Sequence, residues 1–140
     1  MRLLSLVLFM GLAWGKMFDT KGISFGIGDS ETGISIFGLS VSKHFNEKNA
    51  LFLGAGTFGY VNPICIGLKQ YRTKTDNQSS YLFVSIQYII SVKHHIVPTL
   101  GIVSERVSKD NLKKIKLGLM VFRAPNGFGA GPILRFERNF

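Results

Sequence analysis

Hydrophobic side chains recur at every second position through most of this chain, most plainly at Ile115, Leu117, Leu119 and Val121, with Lys116 and Gly118 between them. A β-strand has a side-chain period of two, so such a stretch shows apolar groups to one medium and polar groups to another. The last segment repeats the pattern: Leu134, Phe136 and Phe140 fall on one face, and Arg135, Glu137 and Asn139 on the other. A helix over Ser108–Met120 is the competing reading, with Leu112, Ile115, Leu119 and Met120 on one side. The strict alternation and the Gly118 interruption favour a strand.

Alternating segments are expected near 22–28, 34–43, 50–60, 64–73, 80–91, 96–106, 113–123 and 128–140, separated by turn formers such as Asp29-Ser30-Glu31-Thr32-Gly33, Asn62-Pro63 and Pro125-Asn126-Gly127. An even number of short strands at regular spacing fits an all-β fold, a closed antiparallel eight-stranded up-and-down β-barrel. Pro98 and Pro132 fall inside expected strands, where a closed barrel has no free edge for them; they are expected to mark rims or bulges.

The two faces differ in composition. One carries Ile23, Phe25, Ile27, Leu68, Val84, Ile86, Leu100, Ile102, Leu134 and Phe136; the other carries Ser24, Gly38, Ser40, Gly54, Gly56, Gly67, Lys69, Ser85, Gln87 and Thr99. A water-soluble barrel turns its apolar face inward and covers the outside with long polar side chains. Here the second face is mostly Gly and Ser, which suit the narrow lumen of eight strands. The apolar face is therefore expected to meet lipid, making the barrel transmembrane.

Residues 1–15 read as a secretory signal peptide: Arg2, then the apolar run Leu3–Ala13, then the small residues Ala13 and Gly15 two apart. That run is too short to span a bilayer, and residues 16–140 are left as one barrel domain. Seventeen Lys and Arg against eight Asp and Glu make the chain strongly basic. Export and the lack of a basic helix or zinc-ligand spacing argue against nucleic acid, and anionic lipid headgroups or surface phosphates are the expected counter-charge. A single cysteine, Cys65, excludes an internal disulfide.

On these features the chain resembles the small eight-stranded outer-membrane barrels of the outer-membrane protein A and X type. The resemblance implies residence in a bacterial outer membrane, lipid and the barrel-insertion machinery as partners, a monomer, and no cofactor. It also implies an assembly signal in the last strand, carried here by Leu134, Phe136 and Phe140, with Arg138 at a position usually apolar or aromatic. Outer-membrane barrel deacylases carry a His-x-Ser pair that this chain lacks, so an enzyme is not expected. A soluble secreted or periplasmic barrel holding an apolar ligand is the alternative, followed by a barrel enzyme acting on lipid.

Other motifs reduce to structure. Gly54-Ala55-Gly56-Thr57-Phe58-Gly59 matches a dinucleotide fingerprint, but Tyr60-Val61-Asn62-Pro63 follows it as strand and turn, without the helix such a site needs. His94 and His95, being adjacent, point to opposite faces of a strand and do not share a metal. The sharpest expectation concerns charge. A two-residue Asn126-Gly127 turn would set Leu119 opposite Leu134, Leu117 opposite Phe136 and Lys116 opposite Glu137. A turn at Asp110-Asn111 would set Glu105 opposite Lys116. Glu105, Lys116, Arg135 and Glu137 are thus expected to form a charge network inside the lumen.

Overall fold

The alternating segments form eight antiparallel strands that close on themselves in the computed structural model, which describes Arg2 and residues 20–110 and 112–139. They are β1 (Thr20–Ile27), β2 (Phe37–His44), β3 (Asn49–Thr57), β4 (Asn62–Lys74), β5 (Gln78–Ile90), β6 (His94–Val107), β7 (Lys113–Ala124) and β8 (Gly127–Asn139). Each strand pairs with its chain neighbours, and β1 pairs with β8, so the sheet keeps no open edge. Of the segment with a competing helical pattern, residues 113–120 belong to β7. The expected signal peptide, apart from Arg2, and Asn111 and Phe140 lie outside the described residues.

The faces follow the alternation. Ile102, Leu117, Leu119 and Phe136 point outward and stand about half exposed, whereas Ser24, Lys69, Gln87, Thr99, Lys116 and Arg135 point inward and are buried. This inverts the arrangement that water stabilises. The inward face is not only small and polar, however. Phe52, Tyr71, Tyr81, Phe83, Val103, Met120 and Ile133 also point in and pack together. Several large rings fit because each lies across from a glycine: Phe52 opposite Gly67, Phe83 opposite Gly101 and Phe122 opposite Gly129. A Cβ on Gly67 would stand 2.6 Å from Phe52 Cζ, and one on Gly101 2.7 Å from Phe83 Cε1. The missing methyl groups are the space the rings occupy.

The last hairpin corrects the expected register. Its closing pair is Ala124 with Gly127, so the two turn residues are Pro125 and Asn126. Proline's fixed φ suits the first turn position, and placing it there removes a residue without an N–H from the ladder. Leu119 consequently faces Pro132, Leu117 faces Leu134, and Lys116 faces Arg135 instead of Glu137. The shift is two residues, an even number, so every side chain keeps the face the alternation gave it. Across the preceding hairpin Glu105 does face Lys116.

The strand prolines sit where a ladder stops. Pro98 has a partner in β5, Ile86, and the β6–β7 pairing begins one residue later at Thr99. Pro132 has a partner in β7, and the β1–β8 pairing begins at Leu134. A closed barrel thus accommodates both near its rim, where one neighbour has already ended.

Charge is divided unevenly between the rims. The rim where β1 begins and β8 ends carries exposed Lys43, Lys48, Arg72, Lys74, Arg106, Lys109, Lys113 and Arg138 against Glu47, Asp76 and Asp110; the far rim carries Lys93 and Arg123.

Candidate functional site

The connection between β1 and β2, residues 28–36, does not cap the rim as an ordinary turn. It folds into the barrel, and Asp29 through Gly33 are all buried. Two glycines make the reversal possible: Gly28 at φ 62° and Gly33 at φ 65° occupy left-handed backbone that other residues rarely adopt. Between them Asp29 and Gly33 exchange backbone hydrogen bonds, Asp29 N to Gly33 O at 2.9 Å and Gly33 N to Asp29 O at 3.1 Å. The segment rejoins the sheet at Ile36, whose carbonyl accepts from Gly26 N at 2.8 Å and whose N–H donates to Thr57 O at 2.9 Å.

The wall of β2 and β3 is shaped to receive this plug. A Cβ at Gly54 would overlap the Glu31 carbonyl oxygen, one at Gly38 the Thr32 side chain, and one at Gly56 the Ser35 side chain. Two glycines of the apparent dinucleotide fingerprint, Gly54 and Gly56, therefore clear a seat for the plug from within strand β3, whereas the third, Gly59, has open space around it at φ 64°.

Lumen side chains hold the plug from several strands. Lys116 on β7 places Nζ 3.4 Å from Asp29 Oδ1, 3.2 Å from Glu31 Oε1 and 2.6 Å from Glu137 Oε2. Lys69 on β4 donates to the same Glu31 oxygen and lies 4.9 Å over the Tyr81 ring. Arg135 on β8 donates from Nε to Ser24 Oγ at 3.1 Å, and from Nη1 and Nη2 to the Ser35 carbonyl and hydroxyl at 2.5 and 3.1 Å. Its Nε also stands 4.0 Å from Asp29 Oδ2. Neutral bonds complete the anchoring: Ser30 Oγ with Tyr81 OH at 2.8 Å, Thr32 Oγ1 with Ser35 Oγ at 2.9 Å, and Ile34 N to Gln87 Oε1 at 3.2 Å. Gln87 in turn donates to Thr99 Oγ1 at 2.7 Å.

The carboxylates Asp29, Glu31, Glu105 and Glu137 are matched by Lys69, Lys114, Lys116 and Arg135, with Lys114 Nζ at the wetter end 3.9 Å from Glu137. Burying charge without partners is costly, so balance of this kind is what a dry lumen requires. The four residues expected to form the network, Glu105, Lys116, Arg135 and Glu137, are all buried inside the barrel. Their connections differ from the expectation. Lys116 reaches Glu137 diagonally, because Arg135 is the residue across from it. Glu105, directly opposite Lys116, makes no ion pair with it among the described residues, and its Oε2 has no hydrogen-bond partner. Arg135 joins the network through the plug residue Asp29.

The arrangement is a lock between a wall and an inserted loop. Among the described residues no cluster of His, Cys, Asp and Glu is suited to a metal ion. His94 sits on the far rim with Nδ1 2.6 Å from Tyr88 OH, and Cys65 is a buried lumen residue. No protein-family model, curated protein or solved structure matches the chain.

Asp29 and Glu31, which tie the plug to the wall, lie in a segment whose sequence reads as a turn. One signal points to them. The inward face carries Lys69, Lys116 and Arg135 against Glu105 and Glu137, a surplus of cations that a narrow lumen does not leave unmatched.

Proposed function

We propose that the protein is a small integral β-barrel of the bacterial outer membrane, akin to the outer-membrane protein A and X type, with a closed lumen and a structural or envelope-associated role. The single observation that carries this reading is the inversion of faces: outward Ile, Leu, Val and Phe around every strand, and inward Ser, Gln, Lys, Arg and Glu beside one aromatic and aliphatic cluster. Lipid stabilises such a surface, whereas water penalises it. Six strands, of 9 to 14 residues, have the length of tilted crossings of a bilayer, and β1 and β2, with 8 each, come one residue short of it. The charged plug fills the space through which a wider barrel would conduct. Neither catalysis nor nucleic-acid binding belongs to this reading, and the barrel acts as a monomer with lipid and the insertion machinery as its partners.

A soluble barrel that carries an apolar ligand would need a vacant apolar lumen, and here the plug and its ion pairs lie in that position. Membrane fractionation tests the choice. The expressed protein should sediment with outer membranes, resist alkaline carbonate, and enter solution only with detergent. A stable soluble monomer would overturn the proposal.

A further inference from the structure

On the outside of the barrel, across the seam where β1 meets β8, lies an open groove of about 450 Å³ lined by Phe25, Phe37, Ile115 and Phe136 with Lys113 and Arg138 at one end. The strand register fixes how these parts are ordered. Ile115, Phe136, Phe25 and Phe37 are successive cross-strand partners over four strands and so form one row around the barrel. Phe25 stacks on both neighbours, with ring centroids 5.8 Å from Phe37 and 5.9 Å from Phe136. Two residues toward the terminal rim, Lys113 and Arg138 face each other across β7 and β8. Arg106 on β6 is the outward partner of Ile115, so it adds a third cation beside them.

Like charges directly opposite across two strands repel. Both side chains are exposed; Asp110 in the β6–β7 turn lies near enough to Lys113 to feel its charge, but among the described residues neither cation forms an ion pair or a side-chain hydrogen bond that would offset the repulsion. An anion between them would. Guanidinium and ammonium groups together suit a phosphate, the first by paired N–H donors and the second as a point charge. One pleat away the aromatic row offers an apolar track. A ligand with a phosphate joined to a hydrocarbon chain matches both parts at once.

We propose that this seam binds an anionic glycerophospholipid, with its phosphate between Lys113 and Arg138 and an acyl chain along Phe136 and Phe25. The inference rests on the membrane reading above and adds to it a lipid class and a place. Lipid there would cover the like-charge pair of β7 and β8 with its phosphate and the β1–β8 seam with its acyl chain.

The test reconstitutes the barrel into phosphatidylcholine vesicles carrying trace spin-labelled phosphatidylglycerol or spin-labelled phosphatidylcholine, and reads the motionally restricted fraction of each. Wild-type protein should restrict phosphatidylglycerol roughly 5-fold more strongly or better at low salt, a preference weakened by 0.5 M salt. Lys113→Gln with Arg138→Gln should bring the two lipids close to parity, whereas Lys93→Gln with Arg123→Gln at the far rim should leave the preference intact. Folding of each variant is checked by heat-dependent gel mobility, and single substitutions at Lys113 and Arg138 serve if the double variant does not fold. A reconstituted barrel without preference, or one whose preference survives the Lys113 and Arg138 changes, would overturn the inference alone. The same holds if those changes alter the oligomeric state and not lipid selectivity, since the groove would then be a protein interface. A chain that stays in water and never enters the vesicles would instead defeat the membrane reading.

Discussion

Lys116 Nζ stands 2.6 Å from Glu137 Oε2 although the residue facing Lys116 across β8 is Arg135 and the residue facing Glu137 is Lys114. The contact is a diagonal one, two positions along the strand, and it leaves the Lys116 ammonium free to meet Asp29 and Glu31 of the plug as well. A single cation therefore serves three carboxylates in a space closed to water. Replacing it with an apolar group of similar length removes the cation the three share, leaving Glu31 to Lys69, Asp29 to Arg135 at 4.0 Å and Glu137 to Lys114 at 3.9 Å. Lys116→Met should destabilise the barrel by about 3–5 kcal/mol, read as a lowered urea midpoint in detergent. In a double-mutant cycle with Glu137→Gln the coupling should exceed the roughly 0–1 kcal/mol of a surface pair. Additive effects would mean the pair is wet.

The carboxylates are not equivalent. Glu31 accepts from both Lys69 and Lys116, whereas Glu105 makes no ion pair among the described residues and has an oxygen without a partner. Glu31→Gln should therefore cost several times more stability than Glu105→Gln, measured in the same urea titration. Equal costs would contradict the assignment of Glu31 as the residue by which the plug is held.

Seating of the plug depends on absent side chains. Gly54→Ala pushes a methyl group into the Glu31 carbonyl and should cost about 1–3 kcal/mol as an overpacked site. Gly131→Ala meets only Met120 Cε at 3.5 Å, an ordinary contact, and should be close to neutral. Hydrogen exchange of residues 29–35 should rise in the first variant and not in the second. A Gly54→Ala barrel with wild-type stability and exchange would show that the loop does not rest against β3.

Strand register can be read chemically. Leu117 and Leu134 are direct partners, at a separation cysteines can bridge, whereas Leu117 and Phe136 are diagonal and beyond the usual disulfide range. Leu117→Cys with Leu134→Cys should oxidise readily, and Leu117→Cys with Phe136→Cys should not. The reverse outcome would restore an Asn126-Gly127 turn.

Outside the barrel wall, the β6–β7 turn contains a carboxylate sensitive to pH. A hydrogen bond from the Ser108 hydroxyl, and a second from Leu112 N at 3.1 Å, hold the Asp110 carboxyl below its ordinary value. A lowered folded value means its contribution to turn stability is present above the unfolded pKa of about 3.9 and fades as pH falls through the folded value. Exchange protection of the Leu112 amide should follow that course and lose its pH dependence in Asp110→Asn. Protection unchanged from about pH 6 to about pH 2 in the wild type would remove the carboxylate from the account.

Legibility differed with the range of the interaction. Alternation is local, so Ile115, Leu117, Leu119 and Val121 announce both their strand and their outward face, and all eight strands are visible in that way. Register was harder, because Pro125, Asn126 and Gly127 are all turn formers and the competition between Asn-Gly and Pro-Asn is settled by where the missing proline N–H does least harm. The plug was not visible at all from its own residues. Asp29 to Gly33 reads as a surface turn, and only the vacancies at Gly38, Gly54 and Gly56, together with Lys69, Lys116 and Arg135 far along the chain, draw it inward. The lumen residues themselves were legible by parity; what they touch was not.

An outward apolar face that meets lipid penalises a charge placed at mid-strand. Leu119 projects from the middle of β7 and is 64% exposed. In phospholipid vesicles Leu119→Arg should lower folding stability by about 2–4 kcal/mol, the cost of an arginine near the bilayer midplane. On a surface that meets water the same change would be neutral or would improve solubility, and a Leu119→Arg barrel as stable as the parent would contradict the account.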